Sequence, residues 1–134
     1  MNKLDKKCRI YVIDDDVDSE GNPIQFKHYL NEDDSLQSMF HCYFRTLSVA
    51  ERQGNYYLGD DSTAQFEINQ RKIHTNCFIE FKRDLFGLET FQIKNIDPFN
   101  DSKRVRMRIR VKKIVPPTFA GVRWGAEIWH LVNT

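Results

Sequence analysis

The sequence predicts a mainly β protein: a small antiparallel barrel or sandwich of about seven short strands, with one long loop carrying a short helix. Three observations predict it. Apolar and polar residues alternate with period two through most of the chain, as side chains do across a strand. Turn signals rich in Gly, Pro, Asn and Asp punctuate these runs at short intervals. Only one stretch, residues 47–62, carries a helix-start signal.

The first strand runs from Cys8 to Asp14, and an acidic loop holding Gly21-Asn22-Pro23 leads to a second from Ile24 to Leu30. Together they read as a hairpin with a long loop. A polar connection, Asn31 to Ser35, precedes a third strand from Ser38 to Leu47. There Phe40, Cys42 and Phe44 share one face, and His41, Tyr43 and Arg45 share the other.

Ser48-Val49-Ala50-Glu51 matches a capping box, in which hydroxyl and carboxylate satisfy the free amides of a helix start. Gly54 lies in the middle of the segment that follows and costs about 1 kcal/mol relative to Ala. The helix is therefore expected to be short and weakly held, inside a long mobile loop from Leu47 to Ser62.

Strands resume at Thr63 to Gln70, with Ala64, Phe66 and Ile68 inward, then at Cys77 to Lys82, Glu89 to Ile96 and Lys103 to Ile114. Asp84-Leu85-Phe86-Gly87 turns one hairpin, and Asp97-Pro98-Phe99-Asn100 is expected to make the next corner. The last of these strands has the clearest pattern. Val105, Met107, Ile109 and Val111 face one way, while Arg104, Arg106, Arg108, Arg110 and Lys112 face the other. Pro116-Pro117 ends it, because proline cannot donate to a ladder. Residues 1–114 thus form the β domain and residues 115–134 a C-terminal extension. The extension holds both tryptophans, Trp124 and Trp129, and is expected to fold back over the domain or to dock on a neighbouring subunit. Glu127 to Val132 could add a strand.

The net charge is +1, so the cationic strand is offset elsewhere, notably at Asp14, Asp15, Asp16, Asp18 and Glu20. A general nucleic-acid binder would show a clear basic excess. The three cysteines, Cys8, Cys42 and Cys77, lack a CxxC spacing and lie within apolar strand patterns, which reads as buried free thiols in a reducing compartment. The basic N-terminus has no apolar run long enough for a signal peptide. No apolar stretch reaches the roughly 20 residues that cross a bilayer as a helix, so no membrane partner is expected.

No catalytic, cofactor or metal site emerges. The acidic loop fails both EF-hand registers, because Gln25 or Lys27 stands where the bidentate glutamate belongs. His28, His41, His74 and His130 are scattered, and no P-loop, dinucleotide fingerprint or nucleophile elbow occurs. The cationic stripe has three readings. It is a solvated face whose cations pair across strands with Glu80, Glu67 or Asp97, a contact for an acidic partner or sister subunit, or a contact for DNA phosphates.

In order, the chain carries CRIYVIDDD, a G-N-P hairpin, FHCYFRTLS, an S-x-A-E-R-x-x-x-YY segment, TAQFEINQR and INQRKIHTNCFIEFKRDLFGLETFQIKNID. From Cys8 to Ile114 this succession resembles the bacteriophage head–tail joining family, the small head-closure or stopper proteins of the phage neck. The resemblance implies a structural virion protein and not an enzyme. Monomers in solution would assemble as a ring, usually twelvefold, beneath the portal or adaptor, and would close the DNA-filled head and provide the tail docking surface. Localisation would be the virion, with the host cytoplasm during assembly. Its partners would be copies of itself, the adaptor or portal, tail proteins and, transiently, packaged DNA.

In the family a channel loop lies between the third and fourth main strands. It maps here onto residues 47–62, with Ser48, Glu51, Arg52, Asn55, Tyr56, Tyr57, Asp60 and Asp61 as the channel-loop residues. Asp14, Asp15, Asp16 and Asp18 on one side, and Arg104, Arg106, Arg108 and Arg110 on the other, would make head-to-tail contacts between subunits, with Trp124 and Trp129 as further interface residues. Reversing Arg106 and Arg108 to Glu is expected to spare the fold and abolish head completion. The alternatives are a tail-completion protein of the same neck and a small-barrel nucleic-acid-binding module.

Overall fold

In a computed structural model, the described residues are 2–83, 87–101 and 104–125, the side chains of residues 100, 101 and 104 excepted. Eight strands and one α-helix follow one another as β1 (Lys6–Val17), β2 (Pro23–Tyr29), β3 (Phe40–Thr46), α1 (Val49–Tyr57), β4 (Ala64–Asn69), β5 (Cys77–Arg83), β6 (Gly87–Asp101), β7 (Arg104–Ile114) and β8 (Gly121–Trp124). They form one sheet in the order β3-β4-β7-β6-β5-β1-β2-β8. A short antiparallel pairing of Lys6, Lys7 and Cys8 with Cys42, His41 and Phe40 joins β1 to β3. That seam closes six strands into a ring, and β2 and β8 continue outward from β1 as a flap.

The period-two pattern decides what fills the ring. Ile10, Val12, Phe66, Ile68, Ile79, Phe91, Ile93, Ile109 and Val111 are all buried in one cluster, with Cys8, Cys42 and Cys77 among them as free thiols. Phe44, Phe66, Phe81 and Phe91 meet at centroid separations of 4.9 to 5.8 Å, in tilted and edge-to-face arrangements that aromatic quadrupoles favour. Burial raises the Cys77 thiol above its ordinary pKa.

A mainly β architecture is what the alternation predicts, and the differences lie at the connections. The first hairpin is tight rather than long-looped. Asp14, Asp15 and Asp16 lie within β1, opposite Phe26, Gln25 and Ile24. The turn itself is built by Asp18, whose carboxylate accepts from the amides of Glu20 and Asn22, both at 2.9 Å. Gly21, at φ 81°, supplies the left-handed residue such a turn needs.

Pro98 does not turn a corner, because β6 runs through it to Asp101 and stays paired with β7. Beyond Gln92, β6 has no pairing with β5. The missing amide of Pro98 therefore faces a free edge, where proline is tolerated. A bulge at Lys94, between Ile93 and Asn95, shifts the alternation so that both Ile93 and Ile96 turn towards the core.

The extension docks in cis over its described part. β8 adds to β2 in parallel, with Phe26, Lys27, His28 and Tyr29 opposite Gly121, Val122, Arg123 and Trp124. Four residues without alternation leave no strand signal in the sequence, which is why β8 escapes prediction. The strand expected at Glu127 to Val132, like Trp129, lies outside the described residues, as does most of the turn at Asp84, Leu85 and Phe86.

Candidate functional site

The segment between β3 and β4 contains α1, a nine-residue helix where the sequence predicts a short one. The sequence starts and stops it at both ends. The Ser48 hydroxyl accepts from the Glu51 amide, and the Glu51 carboxylate accepts from the Ser48 amide, completing the capping box. At the far end the amides of Gly59 and Asp60 donate to the carbonyls of Tyr56 and Asn55, with Gly59 at φ 83°. This is the Schellman arrangement, which satisfies the last carbonyls of a helix.

No residue of α1 is buried. Polar groups hold it instead. Arg45 on β3 grips Glu51 with two hydrogen bonds of 2.9 Å, and this guanidinium is the main reason the Glu51 carboxyl is held down at about 2. Arg110 on β7 donates to Asn55 at 3.2 Å and lies 3.5 Å from Asp60. Lys112 donates to Asp61 at 2.7 Å, and Lys94, the bulged residue, approaches Asp61 to 3.4 Å. Lys112 is the leading cause of the lowered Asp61 pKa. The helix stands between two grooves. One of about 530 Å³ is lined by Val49, Arg52, Tyr56, Tyr57, Thr63 and Lys112. The other, of about 450 Å³, separates Glu51, Asn55 and Leu58 from Gln65, Arg108 and Arg110.

The same segment presents its large side chains to solvent. Tyr56 is 72% exposed, Tyr57 86%, Leu58 85% and Val49 69%. Four such side chains exposed on one short, polar-tethered element make it the candidate contact surface of the fold, since exposed large apolar groups that cluster mark contact sites. The chain brings together all eight residues expected in the loop: Ser48, Glu51, Asn55, Asp60 and Asp61 in the tethering, and Arg52, Tyr56 and Tyr57 on the open side.

The charged faces are paired within the chain. On the cationic stripe, Arg106 donates to the Asn2 carbonyl at 2.6 Å. Arg108 reaches the buried Glu67 at 3.4 Å and lies 4.0 Å over the Phe99 ring. Arg110 and Lys112 hold the helix segment. Of the three readings of the stripe, cross-strand pairing with Glu67 is therefore present, whereas Glu80 accepts from Lys27 at 2.9 Å and from the Tyr29 hydroxyl. The side chain of Arg104 lies outside the described residues.

The acidic hairpin is matched as well. Arg123 of the extension donates to Asp14 at 2.7 Å and to Asp16 at 2.8 Å, and stacks 3.8 Å over Phe26. Asp15 accepts from Gln25, and Asp18 organises its own turn. Trp124 stacks on Tyr29 with centroids 4.3 Å apart. Sequence reasoning missed Arg123 and Lys27, because isolated cations in unremarkable segments carry no local signal. Among the described residues no cluster of His, Cys, Asp and Glu could hold a metal ion, and no helix is long and apolar enough to cross a membrane.

No protein-family model matches this chain, and no curated protein matches it.

Proposed function

We propose that this protein is a structural component of a bacteriophage neck, assembling as a ring beneath the portal or adaptor to close the DNA-filled head and offer the tail a docking surface. One observation carries the reading. A capped helix between the third and fourth strands buries none of its residues, is tied to the β ring by polar contacts, and points two tyrosines, a leucine and a valine into solvent. A gate needs an element that moves without unfolding its support, and moving elements come from the low-stability part of a structure. Several such helices facing a common axis would narrow a channel by bulk, and tyrosine faces tolerate any DNA sequence.

The in-chain pairing of Arg108, Arg110 and Lys112 favours this reading over a nucleic-acid-binding module, because paired cations displace few counterions from phosphates. It also moves the expected subunit contacts away from a simple match of bare acidic and basic faces.

The test is direct. DNA-filled heads lacking neck proteins are incubated with the purified protein and imaged in negative stain. A ring at the portal vertex, with DNA retained, is expected. Binding to tail tips alone would indicate a tail-completion protein, and binding to neither would overturn the neck assignment.

A further inference from the structure

We infer that the turn from Glu32 to Leu36 of one copy seats in the groove at the base of α1 of the next, with Leu36 against Val49 and Glu32 beside Arg52. The inference rests on the assembly of copies proposed above and names the contact between them.

The turn is wired from within. The Asp33 carboxylate accepts from the Ser35 amide at 2.8 Å, and the Ser38 hydroxyl donates to the carbonyls of Asp33 and Ser35 at 2.6 and 3.0 Å. Asn31, itself buried, donates to the Ser38 carbonyl at 2.6 Å. Arg9 and Lys7 on β1 hold the carbonyls of Asp34 and Leu36, both at 3.1 Å. The turn is therefore ordered before any partner arrives, which lowers the cost of binding. It nevertheless leaves Leu36 69% exposed. Glu32, four residues earlier, is exposed too and makes no ion pair among the described residues.

Arg52 is the one cation of α1, and it likewise makes no ion pair among the described residues. The other charges around it are engaged: Glu51 with Arg45, Asp60 with Arg110 and Asp61 with Lys112. Arg52 and the exposed Val49 lie in the first turn of the helix, where the groove of about 530 Å³ opens against Thr63 and Lys112. The groove thus offers an open apolar side chain and an unmatched cation. The turn offers an open apolar side chain and an unmatched carboxylate. Tyr56 and Tyr57 lie two helical turns further on, about 10 Å along the axis, so a seat at the base leaves their rings open.

The two halves of this contact stand at opposite ends of β3. The turn precedes Phe40 and α1 follows Thr46, and six strand steps of about 3.4 Å set those ends roughly 20 Å apart. A chain cannot fill its own groove with its own turn. Because turn and groove are different patches, the contact is head-to-tail: it passes from copy to copy and closes as a ring where the rotation allows. One turn in one groove falls at the low end of interface sizes. Free chains therefore stay monomeric at micromolar concentration and associate towards millimolar, or when held side by side.

Sedimentation equilibrium from micromolar to millimolar concentration tests this with two charge reversals, R52E and E32K, each at a residue without an ion pair in the chain. The mean mass of the native chain should rise with concentration. Each variant alone sets like charges together and should associate at least about tenfold more weakly. Mixed in equal amounts, the two variants restore an opposite pair at every contact and should regain the native association. L36S should weaken association while leaving the melting temperature unchanged.

A native chain that is monomeric at millimolar concentration overturns the inference. Either reversal associating like the native chain does the same, as does a mixture that fails to recover. Those results leave the neck assignment standing where the protein still caps DNA-filled heads. Native association with recovery in the mixture, but no capping of heads, would sink the neck assignment alone.

Discussion

Arg45 and Glu51 are joined by two parallel hydrogen bonds of 2.9 Å, linking the end of β3 to the first turn of α1. With the Ser48 amide as a third donor, the carboxyl is held at about 2, against an ordinary value of 4.5. Because its folded pKa is depressed, its support for the helix is complete above pH 4.5 and is lost as pH falls through about 2. The protection of the amides of Ala50 to Leu58 relative to their intrinsic exchange rates should therefore fall through this window while that of the β core holds. In E51Q the acid-dependent step should vanish. A helix equally protected at pH 2 and pH 6 in the native chain would show that this pair does not hold it.

The caps and Gly54 act in opposite directions on the same helix. S48A removes an acceptor from the Glu51 amide and should cost the helix about 1 kcal/mol. Nothing lies within 4 Å of a Cβ placed on Gly54, so G54A should stabilise it by about 1 kcal/mol through backbone entropy. Local exchange free energies measure both. If G54A weakened the helix, the open space around Gly54 would be filled by something the fold does not show.

How legible was this in the sequence? The strand alternation marked Phe66, Ile68, Ile109 and Val111 as inward, and all are buried, because period two leaves a sheet residue only two faces. The capping box at Ser48 and Glu51 was readable too, being local chemistry. Pairings set by ring closure were not. Lys94 falls on a bulge, Asp14 and Asp16 meet a cation 107 residues or more away, and Glu67 finds Arg108 across the β4–β7 ladder. Long-range partners leave no spacing to read, so the acidic and basic segments looked open when each in fact has partners within the chain.

Glu89 is buried between Arg83 and Lys113, with contacts of 2.8 and 3.0 Å. Arg83 first, then Lys113, holds its carboxyl at about 2. Set against the ordinary value of 4.5, and discounted because both cations are partly solvated, this contributes on the order of 1–3 kcal/mol at neutral pH. The contribution is whole above pH 4.5 and disappears towards pH 2. Urea unfolding of E89Q should show a loss of that size at pH 7 and none near pH 2. Parallel stability curves for the two proteins across that range would contradict the assignment.

Charge reversal on β7 should bear on the fold as well as on the proposed assembly, because the structure pairs Arg108 with the buried Glu67, which argues against exchanging Arg106 and Arg108 for Glu without structural cost. Glu67 is 4% exposed, and Arg108 is its cationic partner. R108E would set a third carboxylate opposite Glu67 and Asp97 and should destabilise by about 1–3 kcal/mol. R52E, on the open side of α1, should change stability by less than about 0.5 kcal/mol. Thermal melts of the two variants separate the cases. Equal melting temperatures would mean that Glu67 finds another donor.

Tyr56 and Tyr57 offer the sharpest separation of function from stability. Their rings touch each other edge to face at 6.4 Å and are otherwise turned to solvent, so Y56S with Y57S should leave the melting temperature within about the range of a neutral surface change. In the proposed ring the loss would multiply with every copy, since each subunit would contribute two aromatic groups to a shared axis. The double variant should still bind DNA-filled heads, because the β ring is untouched, yet it should let DNA escape. Nuclease added outside the heads reads this out directly. Heads capped by the native protein should protect their DNA, and heads capped by the variant should lose it. Equal protection would place the barrier elsewhere than on α1, and failure of the variant to bind would make the tyrosines part of the docking surface.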